Sequence, residues 1–199
     1  MHLSNFLFPR NFRYVLCASL TMIALMLFDT FGLPVDRLGL IPHSQRHLTG
    51  IVTAPFVHDS WSHLGGNLVG LLICGYLASR LPNFKTASVS IILLTGIFVW
   101  LFAARGNHIG ASGVVMGYYG LLVGVALFQR NLLSVLSLLV LALATYYANI
   151  NFIGTLFDFS DNVSSESHLF GFISGVLVAF LQRSKSSKNR SFKKRTNKE

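Results

Sequence analysis

A serine, two histidines and an asparagine stand out in this 199-residue chain because little around them is polar: 52% of residues are hydrophobic and only 12% charged. Ser112 lies at the head of the run GASGVVMGYYGLLVG. His168 heads SHLFGFISGVLVA, and His63 and Asn67 lie one helical turn apart in WSHLGGNLVGLLICG. A hydroxyl within reach of an imidazole that can take its proton is the minimum for nucleophilic acyl transfer. His63 and Asn67 carry N–H groups able to meet a developing oxyanion, and the backbone amides of Ala111 and Ser112, in an unsatisfied first turn, can join them. No carboxylate falls inside a helix near this group, and Asp161 and Glu166 are read as loop residues. A Ser112–His168 dyad is therefore the economical reading.

Such residues must be positioned by elements that tolerate an apolar solvent. A soluble domain carries roughly a quarter charged residues, so this composition points to a membrane. Six apolar runs can be marked, near Tyr14–Leu33, Trp61–Leu81, Phe84–Ala103, Gly110–Phe128, Leu132–Ile150 and His168–Gln182. Each is expected to be helical, because hydrocarbon offers no partner to an unpaired backbone amide. The fold expected is an all-α membrane protein of six transmembrane helices, over residues 1–182. Residues 183–199 are expected to be a disordered basic cytoplasmic tail. Cys17 and Cys74 both lie in apolar runs, which argues against a disulfide framework.

The polar residues share faces with glycines. His63, Asn67, Gly70 and Cys74 follow helical spacing, as do Gly113, Gly117, Gly120 and Gly124, and then His168, Gly171, Gly175 and Ala179. Small-residue stripes let transmembrane backbones approach closely. If the fourth and sixth runs pack along Gly113 and Gly117 against Gly171 and Gly175, Ser112 and His168 meet at the top of the contact.

Charge supplies the orientation. With six spans, thirteen of the sixteen Lys/Arg lie on the side of the termini, eight of them after Leu181, and only Arg37, Arg46 and Arg105 lie opposite. The positive-inside bias places both termini in the cytoplasm and the dyad toward the other side. The tail is expected to touch anionic membrane lipid rather than nucleic acid. A bacterial plasma membrane is the preferred location.

Plainer roles exist for each residue. Ser112 can be a small interface residue, His168 a capping histidine, and His63 and Asn67 can pair with each other and with backbone carbonyls. His58 and His63 flank Asp59, yet no further ligand has suitable spacing, so no metal or cofactor is expected and His58 reads as a loop-ordering residue.

Gly110-Ala111-Ser112-Gly113, His63-x-x-x-Asn67, His168-x-x-Gly171-x-x-x-Gly175 and the upstream Ala54-Pro55-Phe56-Val57-His58 together resemble the rhomboid family of intramembrane serine proteases over about residues 12–182. The resemblance implies a rhomboid-like bundle with Ser112 as nucleophile, His168 as general base and His63 and Asn67 as the oxyanion-stabilising pair. It implies a water-accessible cavity on the non-cytoplasmic side and transmembrane proteins as substrates. Residues 34–60 would be a large first loop in the membrane interface, with the fifth span and residues 151–167 as gate and cap. The sequence departs from many relatives in having Met116 four residues after the serine, where they carry an aromatic, and Thr49-Gly50 near the place of a Trp-Arg pair. The other functions to set beside proteolysis are a non-proteolytic rhomboid-like protein that binds transmembrane helices and, disfavoured by the absence of an internal repeat, a small transporter.

Overall fold

A computed structural model describes residues 9–129, 132–147 and 165–196. Among these residues the chain is helical, with one isolated bridge between Leu40 and His108 and no strand. The long helices are α1 (Phe12–Thr30), α2 (Trp61–Ala78), α3 (Phe84–Phe102), α4 (Ser112–Gln129), α5 (Leu132–Tyr147) and α6 (Ser165–Thr196). A helix therefore stands at each of the six apolar runs. By length and apolarity α1, α3 and α4 are sufficient to cross a membrane.

Local chemistry explains the boundaries. α1 ends where Gly32 adopts φ +83° and its N–H returns to the Asp29 carbonyl, with Pro34 just beyond. α2 begins at Ser60, whose Oγ accepts the N–H of His63 at 3.2 Å. α4 begins at Ser112, two residues later than the apolar run, because Gly110 sits at φ +105° and breaks the approach. α6 differs most from expectation. It starts at Ser165, three residues early, and continues to Thr196, past residue 183 where the sequence reading begins a disordered tail. Residues 183–196 contain neither Gly nor Pro, and Lys and Arg are good helix formers, so nothing local stops the helix.

The core gathers on α4, the most buried of these helices, with Leu121, Leu122 and Val125 at its centre against Leu71, Ile91, Val178 and Ala179. α4 and α6 form the closest pair in the bundle, with α2 and α3 also packed on α4. The outer faces remain apolar: Leu20, Val89, Leu139 and Leu181 are more than half exposed. Phe31, Trp61 and Phe102 stand exposed at helix ends, as interfacial aromatics do.

The first loop is held by backbone bonds. Leu40 and His108 exchange N–H···O bonds at 2.9 and 2.8 Å, and the Gly110 N–H donates to the Ala54 carbonyl. Trp100 Nε1 donates to the Ser44 carbonyl at 3.2 Å, and the His43 N–H donates back to that of Trp100. The loop is thus tied to the end of α3 and to the turn before Ser112 without a Trp-Arg pair.

Candidate active site

The contact expected between the two glycine stripes is present. A Cβ on Gly113 would lie 3.1 Å from the Ser167 carbonyl oxygen. One on Gly171 would lie 2.8 Å from the Gly113 carbonyl carbon and closer still to its oxygen. Lower down, a Cβ on Gly175 would meet the Leu121 nitrogen at 2.6 Å and overlap the Gly117 oxygen, and one on Gly124 would meet Ala179 Cβ at 2.6 Å. Each neighbour is backbone or a short side chain, so only glycine permits this distance. The pairing of Gly113 with Gly171 and of Gly117 with Gly175 makes α4 and α6 parallel, with their starts level. Ser112, the first residue of α4, and His168, in the first turn of α6, are the immediate chain neighbours of the residues in contact. His168 is buried and Ser112 is half-buried.

α2 brings the second pair. Its Gly70 packs on Val115 and its Gly75 beside Tyr118, so α2 also runs parallel to α4, and Asn67 faces the first turn of α4 from one turn above Gly70. His63 Nδ1 and Asp59 Oδ1 are 2.9 Å apart, the one ion pair among the described residues. The other ring nitrogen lies against the turn that leads to the serine: a Cβ on Gly110 would come within 2.7 Å of His63 Nε2. With Nδ1–H given to Asp59, Nε2 donates only when the ring carries both protons. Asn67 is buried and its Nδ2 donates to the His63 carbonyl at 2.9 Å. This is the backbone pairing weighed for Asn67 from sequence. It uses one of two N–H groups, and the reverse amide orientation would set two oxygens against each other.

Two details of the sequence reading change. The Ala111 N–H points at His58 Nε2, 3.4 Å away, so of the two backbone donors expected, only that of Ser112 remains for an oxyanion. Glu166 lies within the first turn of α6 rather than in a loop, and both of its carboxylate oxygens accept the Ala104 N–H, at 3.1 and 3.2 Å. It fastens the end of α3 to the start of α6 and is not turned to a dyad role. Asp161 and the greater part of the connector 151–167 lie outside the described residues, as does the end of the fifth run.

His58 is the residue whose part the sequence understated. It is buried, stacks edge-on to His63 with ring centroids 5.0 Å apart, and accepts from the turn that carries the serine. Burial, and then the neighbouring His63, pushes its pKa down to about 4, so it is neutral at pH 7. Burial alone would raise the Asp59 carboxyl, but the hydrogen bond and charge of His63 outweigh that and hold it below its ordinary value. The Asp-x-x-x-His spacing of residues 59–63 was the available signal. His108 joins the segment before Ser112 to the end of α3 and the start of α6: its Nε2 lies 3.0 Å from the Ala104 carbonyl and its Nδ1 3.4 Å from Ser167 Oγ.

Behind Gly113 is a cavity of about 40 Å³ bordered by Thr95, His108, Gly110 and Ser167. Thr95 Oγ1 is buried there without a protein partner, and the space has room for about one or two waters. Met116 is buried in the core one turn below the serine.

A family model described as Rhomboid domain matches residues 45–185. Uncharacterized proteins of Mycobacterium tuberculosis and Mycobacterium bovis are each 31% identical over 188 residues, covering 88% of this chain and 78% of theirs. One from Mycobacterium leprae is 30% identical over 154 residues, covering 73% of this chain and 61% of its own. With the glycine-paired helices, the histidine-asparagine turn and a family match over most of its length, this chain belongs to the rhomboid family and is a membrane protein.

Proposed function

We propose that this protein is an intramembrane serine endopeptidase that cleaves the transmembrane segments of other membrane proteins. The observation that carries the reading is the parallel glycine-to-glycine contact of α4 and α6, which levels the starts of the helices bearing Ser112 and His168. Ser112 Oγ attacks the scissile carbonyl while His168 takes its proton. The resulting oxyanion is met by the spare N–H of Asn67, the Ser112 amide and, when its ring carries both protons, His63 Nε2. His168 returns the proton to the leaving amine, leaving an acyl ester on Ser112. A water then attacks the ester with His168 again as base, releasing the acid and restoring the Ser112 hydroxyl.

The six helices are read as six crossings, with both termini and the basic tail in the cytoplasm of a bacterial cell and the site open to the opposite face. The charge asymmetry supports this orientation, and the exposed aliphatic faces of the helices support burial in lipid. The test is cleavage of a model single-pass substrate in liposomes by wild type, Ser112→Ala and His168→Ala. Both variants should be inactive, and undiminished cleavage by either overturns the dyad. Labelling of Ser112 by a fluorophosphonate separates a protease from a helix-binding relative, which would remain unlabelled when folded.

A further inference from the structure

We infer that a slot between α1 and α3 binds a single anionic phospholipid, acyl chain inward and phosphate at Arg13, Tyr14 and Lys85. The two helices are not packed along their length. Between them lies a cavity of about 340 Å³, a volume typical of ligand pockets. Its walls are Val15, Ala18 and Met22 of α1 and Val89 and Ile92 of α3, with Leu71 of α2 behind. The hydroxyls of the wall satisfy each other, Tyr118 donating to Ser88 Oγ at 2.9 Å, so the interior offers a ligand only apolar surface. Tyr14 to Met22 spans about 12 Å at 1.5 Å per residue, a length that suits part of an acyl chain laid along α1.

The mouth has the opposite chemistry. Lys85 Nζ lies 4.7 Å and the Arg13 guanidinium carbon 5.0 Å from the centre of the Tyr14 ring, and Arg13 also donates to the Tyr14 hydroxyl at 3.0 Å. Two cations thus converge on one ring. Both belong to the first turn of their helices, where the backbone dipole already disfavours positive charge. Among the described residues no carboxylate pairs with either. An anion at this point relieves both repulsions, and a hydrocarbon chain attached to it fills the slot. A membrane phospholipid with an anionic headgroup has both parts. The cationic mouth belongs to the starts of α1 and α3, while the inner wall of the slot reaches Val114, two residues past Ser112; the lipid site itself does not depend on proteolysis.

The experiment is native mass spectrometry of the full chain in detergent, titrated with phosphatidylglycerol or phosphatidylcholine. Wild type should hold one phosphatidylglycerol about thirtyfold more tightly than phosphatidylcholine, as two interfacial cations provide. Arg13→Gln with Lys85→Gln should abolish the preference, and Arg13→Lys with Lys85→Arg should keep it. Ala18→Phe, which fills the slot and keeps every charge, should remove the bound lipid; Val89→Phe fills it from the other wall if the first variant fails to fold. Equal affinity of wild type for the two lipids overturns the proposal, as does phosphatidylglycerol binding that survives both the charge and the filling variants.

Discussion

Gly171→Ala tests the contact on which the site depends. The added methyl would lie 2.8 Å from the Gly113 carbonyl carbon and 3.1 Å from its Cα, where ordinary contact begins near 3.4 Å, and it would overlap the carbonyl oxygen outright. Backbone cannot rotate aside as a long side chain can, so the helices must separate. Overpacking of this kind costs about 1–3 kcal/mol. A separation of about 1 Å at the reacting groups costs on the order of 10²-fold in rate. Because Gly171 is one turn from His168 and Gly113 adjoins Ser112, the loss should fall on kcat more than on KM. The assay is cleavage of a transmembrane substrate in liposomes, beside thermal unfolding in detergent. Gly65→Ala and Gly66→Ala are the controls: an added Cβ there meets nothing within 4 Å, so both should be neutral or slightly stabilising. Wild-type rate and stability in Gly171→Ala would refute the close parallel packing of α4 and α6.

Other substitutions separate the roles of the polar residues. Glu166→Gln keeps an oxygen for the Ala104 N–H and should leave cleavage within a few-fold of wild type; a loss on the order of 10⁴-fold would instead mark a triad carboxylate. His63→Ala should lower kcat by about 10²–10³-fold, and Asp59→Ala, which only releases the ring, should lower it less; a greater loss from Asp59→Ala contradicts the anchoring role. His58 has a folded pKa of about 4 against 6.5 when unfolded, so between these values the unfolded chain takes up the extra proton. Its contribution to stability is complete above pH 6.5 and is lost as pH falls toward 4. Thermal unfolding of His58→Gln should therefore show a flatter pH dependence in that window, and an unchanged slope would overturn the buried neutral histidine.

The helices were legible because their cause is local and repeated. An apolar run in a chain this poor in charge has to pair its own backbone, and the i, i+4 glycine pattern around Gly113 and Gly171 names the packing faces before any fold is known. Ser112, His168, His63 and Asn67 were conspicuous for the same reason, against a background with few other polar residues. The ends of α6 were not legible, because hydropathy falls where the helix leaves its packed segment while propensity does not. Glu166 was misread as a loop residue for that reason, and its partner, the Ala104 amide, is 62 residues away.

The sequence by itself determined the solvent, the number of apolar runs, the stripes and the short list of chemically capable side chains, since each rests on composition or on spacing within one element. Only the tertiary structure decided which donors are spent. It gave the Ala111 amide to His58, Nδ1 of His63 to Asp59 and one Asn67 N–H to the His63 carbonyl. It also opened the slot between α1 and α3 beneath two convergent cations. The two i, i+4 pairs at His63 follow spacing within one segment. A partner 53 residues away, as His58 is for Ala111, or an unfilled volume is instead a property of where separate elements come to rest, and no spacing along the chain encodes it.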